Sequence, residues 1–149
     1  MIDADTGHIH LPNGFVITPA LTLDEFQRLW SERLGWRFQM DGGRVDTFPL
    51  EVNFHFKAQR LASVSLVADL SRVTEDSQQH WIDTKALHDR MLRKDLGEPD
   101  MFTDTYGMDA PGLGKAPNHL RAWGKAVSEF DYGGGDAYIS VKYNTNKAL

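Results

Sequence analysis

A chain of 149 residues, 41% hydrophobic and 25% charged, is long enough to bury one sizeable core and too rich in apolar and aromatic residues to stay disordered. It contains no cysteine, which excludes a disulfide frame, a zinc ribbon and a thiol nucleophile. A formal charge of −5 argues against general nucleic-acid binding, because phosphate contacts need a basic surface.

The first residues, Met1-Ile2-Asp3-Ala4-Asp5, carry acids where a secretory signal carries Lys or Arg, and no apolar run has the length of a membrane span. A cytoplasmic location without membrane contact is therefore expected. His8-Ile9-His10-Leu11 and Phe15-Val16-Ile17-Thr18 flank the turn-forming Pro12-Asn13-Gly14, which predicts an opening hairpin that Pro19 ends. Thr22-Leu23-Asp24-Glu25 has the form of a capping box, in which the Thr hydroxyl accepts from the third helical amide and the Glu reaches back. Leu23, Phe26, Leu29, Trp30 and Leu34 follow at helical spacing, and Gly35 stands where a left-handed C-terminal cap is wanted.

A short strand at Trp36–Met40 and a turn at Asp41-Gly42-Gly43 are expected next. Phe48–Lys57 then alternates, with Phe48, Leu50, Val52, Phe54 and Phe56 on one face and Glu51, Asn53, His55 and Lys57 on the other. Leu61–Asp69 repeats the pattern with Ala62, Val64, Leu66 and Ala68 inward and Ser63 and Ser65 outward. A turn near Gln59 pairs the two strands antiparallel, one side core and one side wet. Ser77–Leu96 reads as a helix burying Trp81, His88, Met91, Leu92 and Leu96 and turning Asp83, Arg90, Arg93 and Lys94 to solvent. Gly97 and Pro99 stop it.

Glu98–His119 shows no period and reads as a long loop. Trp123–Phe130 and Ala137–Tyr143 read as a closing hairpin across Asp131–Asp136. The expected fold is a single α+β domain of order β-β-α-β-β-β-α-β-β, with two main helices packed on one face of an antiparallel sheet.

No residue pattern identifies a reaction, and no catalytic or metal-binding residue is assigned. His8 and His10 share one strand face, a spacing that recurs in metal sites, but no third ligand is placed with them. His55, His80, His88 and His119 stand in no H-E-x-x-H pattern. His88, among Trp81 and Leu92, reads as a core histidine with one hydrogen-bond partner. Gly133-Gly134-Gly135 lacks the helix and the Lys-Ser/Thr ending of a phosphate loop. Gly112-Leu113-Gly114-Lys115 has no strand before it, and Pro117 blocks a helix after it. Ser63, Ser65, Ser128 and Ser140 lie on strands, outside any nucleophile elbow. The acids Asp100, Asp104, Asp109, Asp131 and Asp136 read as solvated unless the fold pairs them.

A loop beyond about 12–15 residues is usually functional or disordered. In this one Phe102, Tyr106, Met108 and Leu113 interleave with Asp100, Asp104 and Asp109, the mixture of apolar anchors and charge found in protein-binding surfaces. The same side chains would equally serve to plug the edge of the core. On the binding reading, the partner-binding residues are Asp100, Phe102, Asp104, Tyr106 and Asp109, with Asp131 and Asp136 in the closing hairpin.

Leu96-Gly97-Glu98-Pro99 at a helix end, then Trp123-Gly124, Ser128, Phe130-Asp131 and the strand Ala137–Tyr143, together resemble a pattern in small bacterial proteins, some of them associated with immunity to secreted polymorphic toxins. The resemblance lies in the C-terminal half only, on residues of structural type. It implies a cytoplasmic stoichiometric inhibitor without cofactor or chemistry of its own, bound to a cognate toxin or effector. The acidic charge would complement a basic surface on that partner. Two other classes remain open: a small enzyme or ligand-binding domain with a His/Asp-lined pocket, and an adaptor or chaperone for a secreted protein. The sequence does not give the oligomeric state.

Overall fold

The computed structural model describes residues 1–30, 37–71, 77–105, 112–131 and 136–144. Leu34, Gly35, Trp36, Tyr106, Met108, Asp109 and Gly133–Gly135 lie outside these. The chain opens with a two-stranded hairpin, β1 (Ile9–His10) and β2 (Val16–Ile17). Its turn is the expected one: the Gly14 amide donates to the Leu11 carbonyl at 3.0 Å and the Phe15 amide to Asn13 Oδ1 at 3.0 Å. Helix α1 (Leu23–Trp30) follows. The Glu25 amide donates to Thr22 Oγ1 at 3.1 Å, so the hydroxyl half of the cap is formed. The turn at Ala58-Gln59 adds to it, because Gln59 accepts from the Leu23 amide through its carbonyl and from the Asp24 amide through Oε1. The packing stripe of α1 runs through Leu23 and Phe26; Leu29, expected inward, is 60% exposed.

β3 (Arg37–Val45), β4 (Phe48–Lys57) and β5 (Arg60–Ala68) form an antiparallel meander. The expected turn at Asp41-Gly42-Gly43 is instead a register shift inside β3, and the chain reverses at Asp46-Thr47, whose φ angles are 45° and 71°. Gly42 suits the bulge because a Cβ there would lie 2.8 Å from Val52. β4 buries Leu50, Val52, Phe54 and Phe56, as its alternation predicts. In β5 a second register shift, after His55, makes Leu61 rather than Ala62 the buried residue.

Helix α2 (Ser77–Leu96) keeps its expected bounds, and Gly97, at φ 79°, closes it by donating to the Arg93 carbonyl. The expected long loop is corrected here: it contains β6 (Met101–Asp104) and β7 (Lys115–Arg121), followed by β8 (Gly124–Asp131) and β9 (Asp136–Tyr143). The sheet has seven strands in the order β3-β4-β5-β9-β8-β7-β6, every neighbouring pair antiparallel. Helix α2 crosses from the centre of the sheet to its far edge, and the second meander returns to place β9 beside β5. The element order is therefore β-β-α-β-β-β-α-β-β-β-β within an α+β architecture.

Both helices cover the same side. Phe26 packs on Phe54 and Phe56 with ring centroids 4.5 and 5.5 Å apart, and Leu87, Met91 and Leu92 join the same core cluster as Leu66, Ala126, Ile139 and Val141. A smaller cluster of Leu113, Phe130 and Ala137 sits under Trp81 and Ile82. The N-terminal segment is tied to the closing hairpin: the Trp123 indole donates to the Ala4 carbonyl at 2.9 Å and the Tyr143 hydroxyl to the Gly7 carbonyl at 2.8 Å. Among the described residues no helix is long and apolar enough to cross a membrane.

Candidate functional site

Among the described residues no helix lies on the side of the sheet away from α1 and α2, and the residues of that side follow from strand parity. Register aligns Asn53 with Ser65, Ser65 with Ser140, and Ser140 with Val127, on to Asn118 and Met101. This row runs across the middle of that side; it is partly exposed at Asn53 and Ser65 and buried at Ser140, Val127 and Asn118. One step along the strands in one direction lie His55, Ser63, Lys142, Lys125 and Leu120. One step in the other lie Glu51 and Val67, then Tyr138 and Glu129, with the partners Asp131 and Asp136 beyond. The face encloses a hollow of about 700 Å³ lined by side chains of β4, β5, β8 and β9.

Charge on this face is segregated. One end holds Lys125 and Lys142, which are Cα partners across the β8–β9 hairpin. The other holds Glu51, Glu129, Asp131 and Asp136, with the last two again direct partners. Lys142 reaches back toward Glu129 at 4.0 Å. At about 3.3 Å of rise per residue, Asp136 and Lys142 stand roughly 20 Å apart along β9. Asp131 and Asp136 thus lie beyond the Debye length of about 8 Å at physiological salt from Lys142, while Glu129 bridges toward it. Directly opposed like charges destabilise a strand pair by roughly 0.2–1 kcal/mol. The hairpin carries two such pairs on one face, and Asp131, Asp136 and Lys142 of these line the hollow.

The seven residues that the sequence singles out separate into groups. Asp131 and Asp136 come together on the open face. Asp100 is held within the fold: its carboxylate accepts from the Leu120 amide at 2.7 Å and from Arg121 at 3.3 Å. Those contacts, the Leu120 amide first, hold its pKa below the usual carboxylate value. Asp104 is ion-paired with Lys115, its cross-strand partner. Phe102 lies on β6, at the edge of the sheet, and is 52% exposed. Tyr106 and Asp109 lie outside the described residues. Glu51, Lys125, Glu129, Tyr138 and Lys142 were not singled out as site residues. Alternation was legible for β4, which carries Glu51, and for β9, where Ile139, Val141 and Tyr143 alternate with Tyr138 and Lys142, but their convergence depends on a register between distant strands.

The histidines are distributed differently. His88 is fully buried on α2 and its Nε2 accepts the Ala68 amide at 3.0 Å, as expected of a core histidine. Burial, with a smaller contribution from nearby Lys85, lowers its pKa to about 3. His119 is also buried; neither ring nitrogen has a hydrogen-bond partner, and burial again lowers its pKa. Both lie on the covered side of the sheet. Lys85, 1% exposed, holds Asp89 at 3.2 Å in the same layer. His10 lines a separate hollow of about 300 Å³ with Arg90 and Lys94. Among the described residues no group of three or more His, Cys, Asp or Glu side chains is placed to hold a metal ion.

No family model, curated protein or solved structure matches the chain.

Proposed function

We propose that this protein is a non-catalytic binding protein that captures a partner protein on the open sheet face, acting in the cytoplasm as an immunity protein that neutralises a cognate toxin or effector. The observation that carries the reading is the gathering of Glu51, Glu129, Asp131 and Asp136 in one hollow on the side of the sheet away from both helices, with Lys142 toward its other end. A surface with its charges sorted in this way selects and steers a partner whose charges complement it. The partner would present basic groups to the end with four carboxylates and acidic groups to the end with two lysines. The two histidines whose pKa values burial lowers, His88 and His119, are on the other side of the sheet, which supports binding rather than proton transfer at this face.

A second reading has one observation in its favour: a volume of about 700 Å³ falls within the roughly 300–1,000 Å³ of small-molecule pockets. Such pockets are mostly apolar, whereas this one is lined largely by Ser, Asn, Glu, Asp, Lys and Tyr side chains, which favours a charged macromolecular surface. Co-expression with candidate effectors, read out as growth rescue, separates inhibition from an adaptor role, since an adaptor leaves its partner active. Rescue lost on joint reversal of Asp131 and Asp136, with the fold intact, is the expected result. Rescue untouched by that reversal, or a stoichiometric small molecule in the native protein with no protein partner, would count against the proposal.

A further inference from the structure

The separate hollow of about 300 Å³ opens where four stretches of chain meet: Met1, the β1–β2 hairpin, the turn after β3 and the last turns of α2. It shares no residue with the hollow of the open face. Its base is apolar, because Met91 is buried in the core and Met1 and Val45 pack half-buried against it. Its rim is charged, with Arg90 and Lys94 exposed one helical turn apart on α2. The other Lys and Arg side chains of α2 are engaged, Lys85 with Asp89 and Arg93 with Glu98. Arg90 and Lys94 have no carboxylate within ion-pair distance among the described residues, although two acids line the same hollow. Asp95 is already taken: its carboxylate accepts from the Met1 ammonium at 3.1 Å and from the Ile2 amide at 2.9 Å. Asp46 stands on another wall, in the turn between β3 and β4.

We propose that this hollow binds a small organic monocarboxylate, with its aromatic or branched aliphatic body against Met1, Val45 and Met91 and its carboxylate held by Arg90 and Lys94. Charge complementarity selects the occupant. The guanidinium presents a planar fork that matches a carboxylate, and the ammonium adds a compact second charge with rotatable donors. The carboxylate of Asp46 opposes a dianion such as phosphate, so a single negative charge is favoured. The volume lies at the lower end of the roughly 300–1,000 Å³ of small-molecule pockets, which suits one ring with a short acid chain. An apolar base with a few charged groups at the rim is the lining such pockets have, and it is the reverse of the polar lining of the open-face hollow.

The test is methionine-methyl NMR of the full chain, titrated at constant ionic strength with hydrocinnamate, isocaproate, the uncharged amide of hydrocinnamate, acetate and inorganic phosphate. Of the five methionines, Met1 and Met91 line the hollow, and Met101, on β6, serves as an internal control. The expected result is a saturable shift of the Met1 and Met91 methyls with hydrocinnamate or isocaproate, at a Kd of about 1 mM or below, while Met101 stays in place. The amide, acetate and phosphate should each bind at least tenfold more weakly. Joint Arg90→Gln and Lys94→Gln should weaken the carboxylates at least tenfold, whereas Arg93→Gln, outside the hollow, should leave them unchanged. All three side chains are exposed, so the variants should keep the wild-type melt. The proposal is overturned if neither carboxylate moves Met1 and Met91, if the amide or phosphate binds as tightly as the acid, or if the folded double variant binds as the wild type does. None of these outcomes bears on the open face, which has its own residues.

Discussion

Inside the layer between α2 and the sheet, the Ala68 amide donates to Nε2 of His88, so the imidazole must be neutral when the fold is closed. Its pKa is about 3 in the folded chain against 6.5 for an unperturbed histidine. Between these values the unfolded chain binds more protons, so stability falls as pH drops below 6.5 and is fully present above it. At pH 5 His88 alone should cost about 2 kcal/mol relative to pH 7, with His119 adding in the same direction. Urea melts across this range should show the slope, and His88→Gln, whose amide oxygen also accepts the Ala68 amide, should flatten it. A wild-type stability independent of pH from 5 to 7 would contradict this account. Close backbone approach sets a second constraint. A Cβ on Gly124, at φ 149°, would lie 1.9 Å from the Lys142 carbonyl oxygen, so Gly124→Ala should destabilise by about 3 kcal/mol or more. A melt within 1 kcal/mol of wild type would refute that constraint. The core role of His88 was legible from its apolar neighbours in the helix; the need for glycine at 124 was not, because it arises from a strand paired across the hairpin.

At the level of elements, the cap on α1 joins local and distant sequence. Thr22 Oγ1 accepts the Glu25 amide, and Thr22→Ala should cost about 1 kcal/mol. Gln59, from the β4–β5 turn, holds the Leu23 and Asp24 amides. Gln59→Ala should weaken the same helix end although it is 35 residues away from Asp24, and a double-mutant cycle should show coupling between the two positions. Strict additivity would contradict a shared cap. The elements that sequence reading located, the opening hairpin, α1, β4, β5, α2 and the closing hairpin, are those marked by a turn signal, a cap or an alternating or helical apolar stripe. β6 and β7 were missed for opposite reasons. β6 is exposed on both sides, and β7 is buried on both sides from Ala116 to His119 and contains Pro117, so neither shows the period of two that marks a half-buried strand. Phe102 and Asp104, expected in a binding loop, were thereby moved onto the sheet edge.

Across the whole molecule, the helices bury one side of the sheet and leave the other with its charges sorted to two ends. Each strand's outward residues are ordinary by themselves, and only the order β4-β5-β9-β8 gathers Glu51, Glu129, Asp131 and Asp136 opposite Lys125 and Lys142. Sequence reading reached two of these six, Asp131 and Asp136, because they flank a glycine-rich turn. If the opposed pairs are kept for binding, relieving them should separate stability from function. Asp136→Ser and Lys125→Ser should each leave stability unchanged or raise it by roughly 0.2–1 kcal/mol while weakening partner binding. The most direct measurement is affinity capture from the native lysate with the wild type and with Asp131→Lys/Asp136→Lys, each checked by thermal melting. The account predicts a stoichiometric basic protein retained by the wild type and lost from a reversed variant that melts no lower; equal retention by both would contradict it.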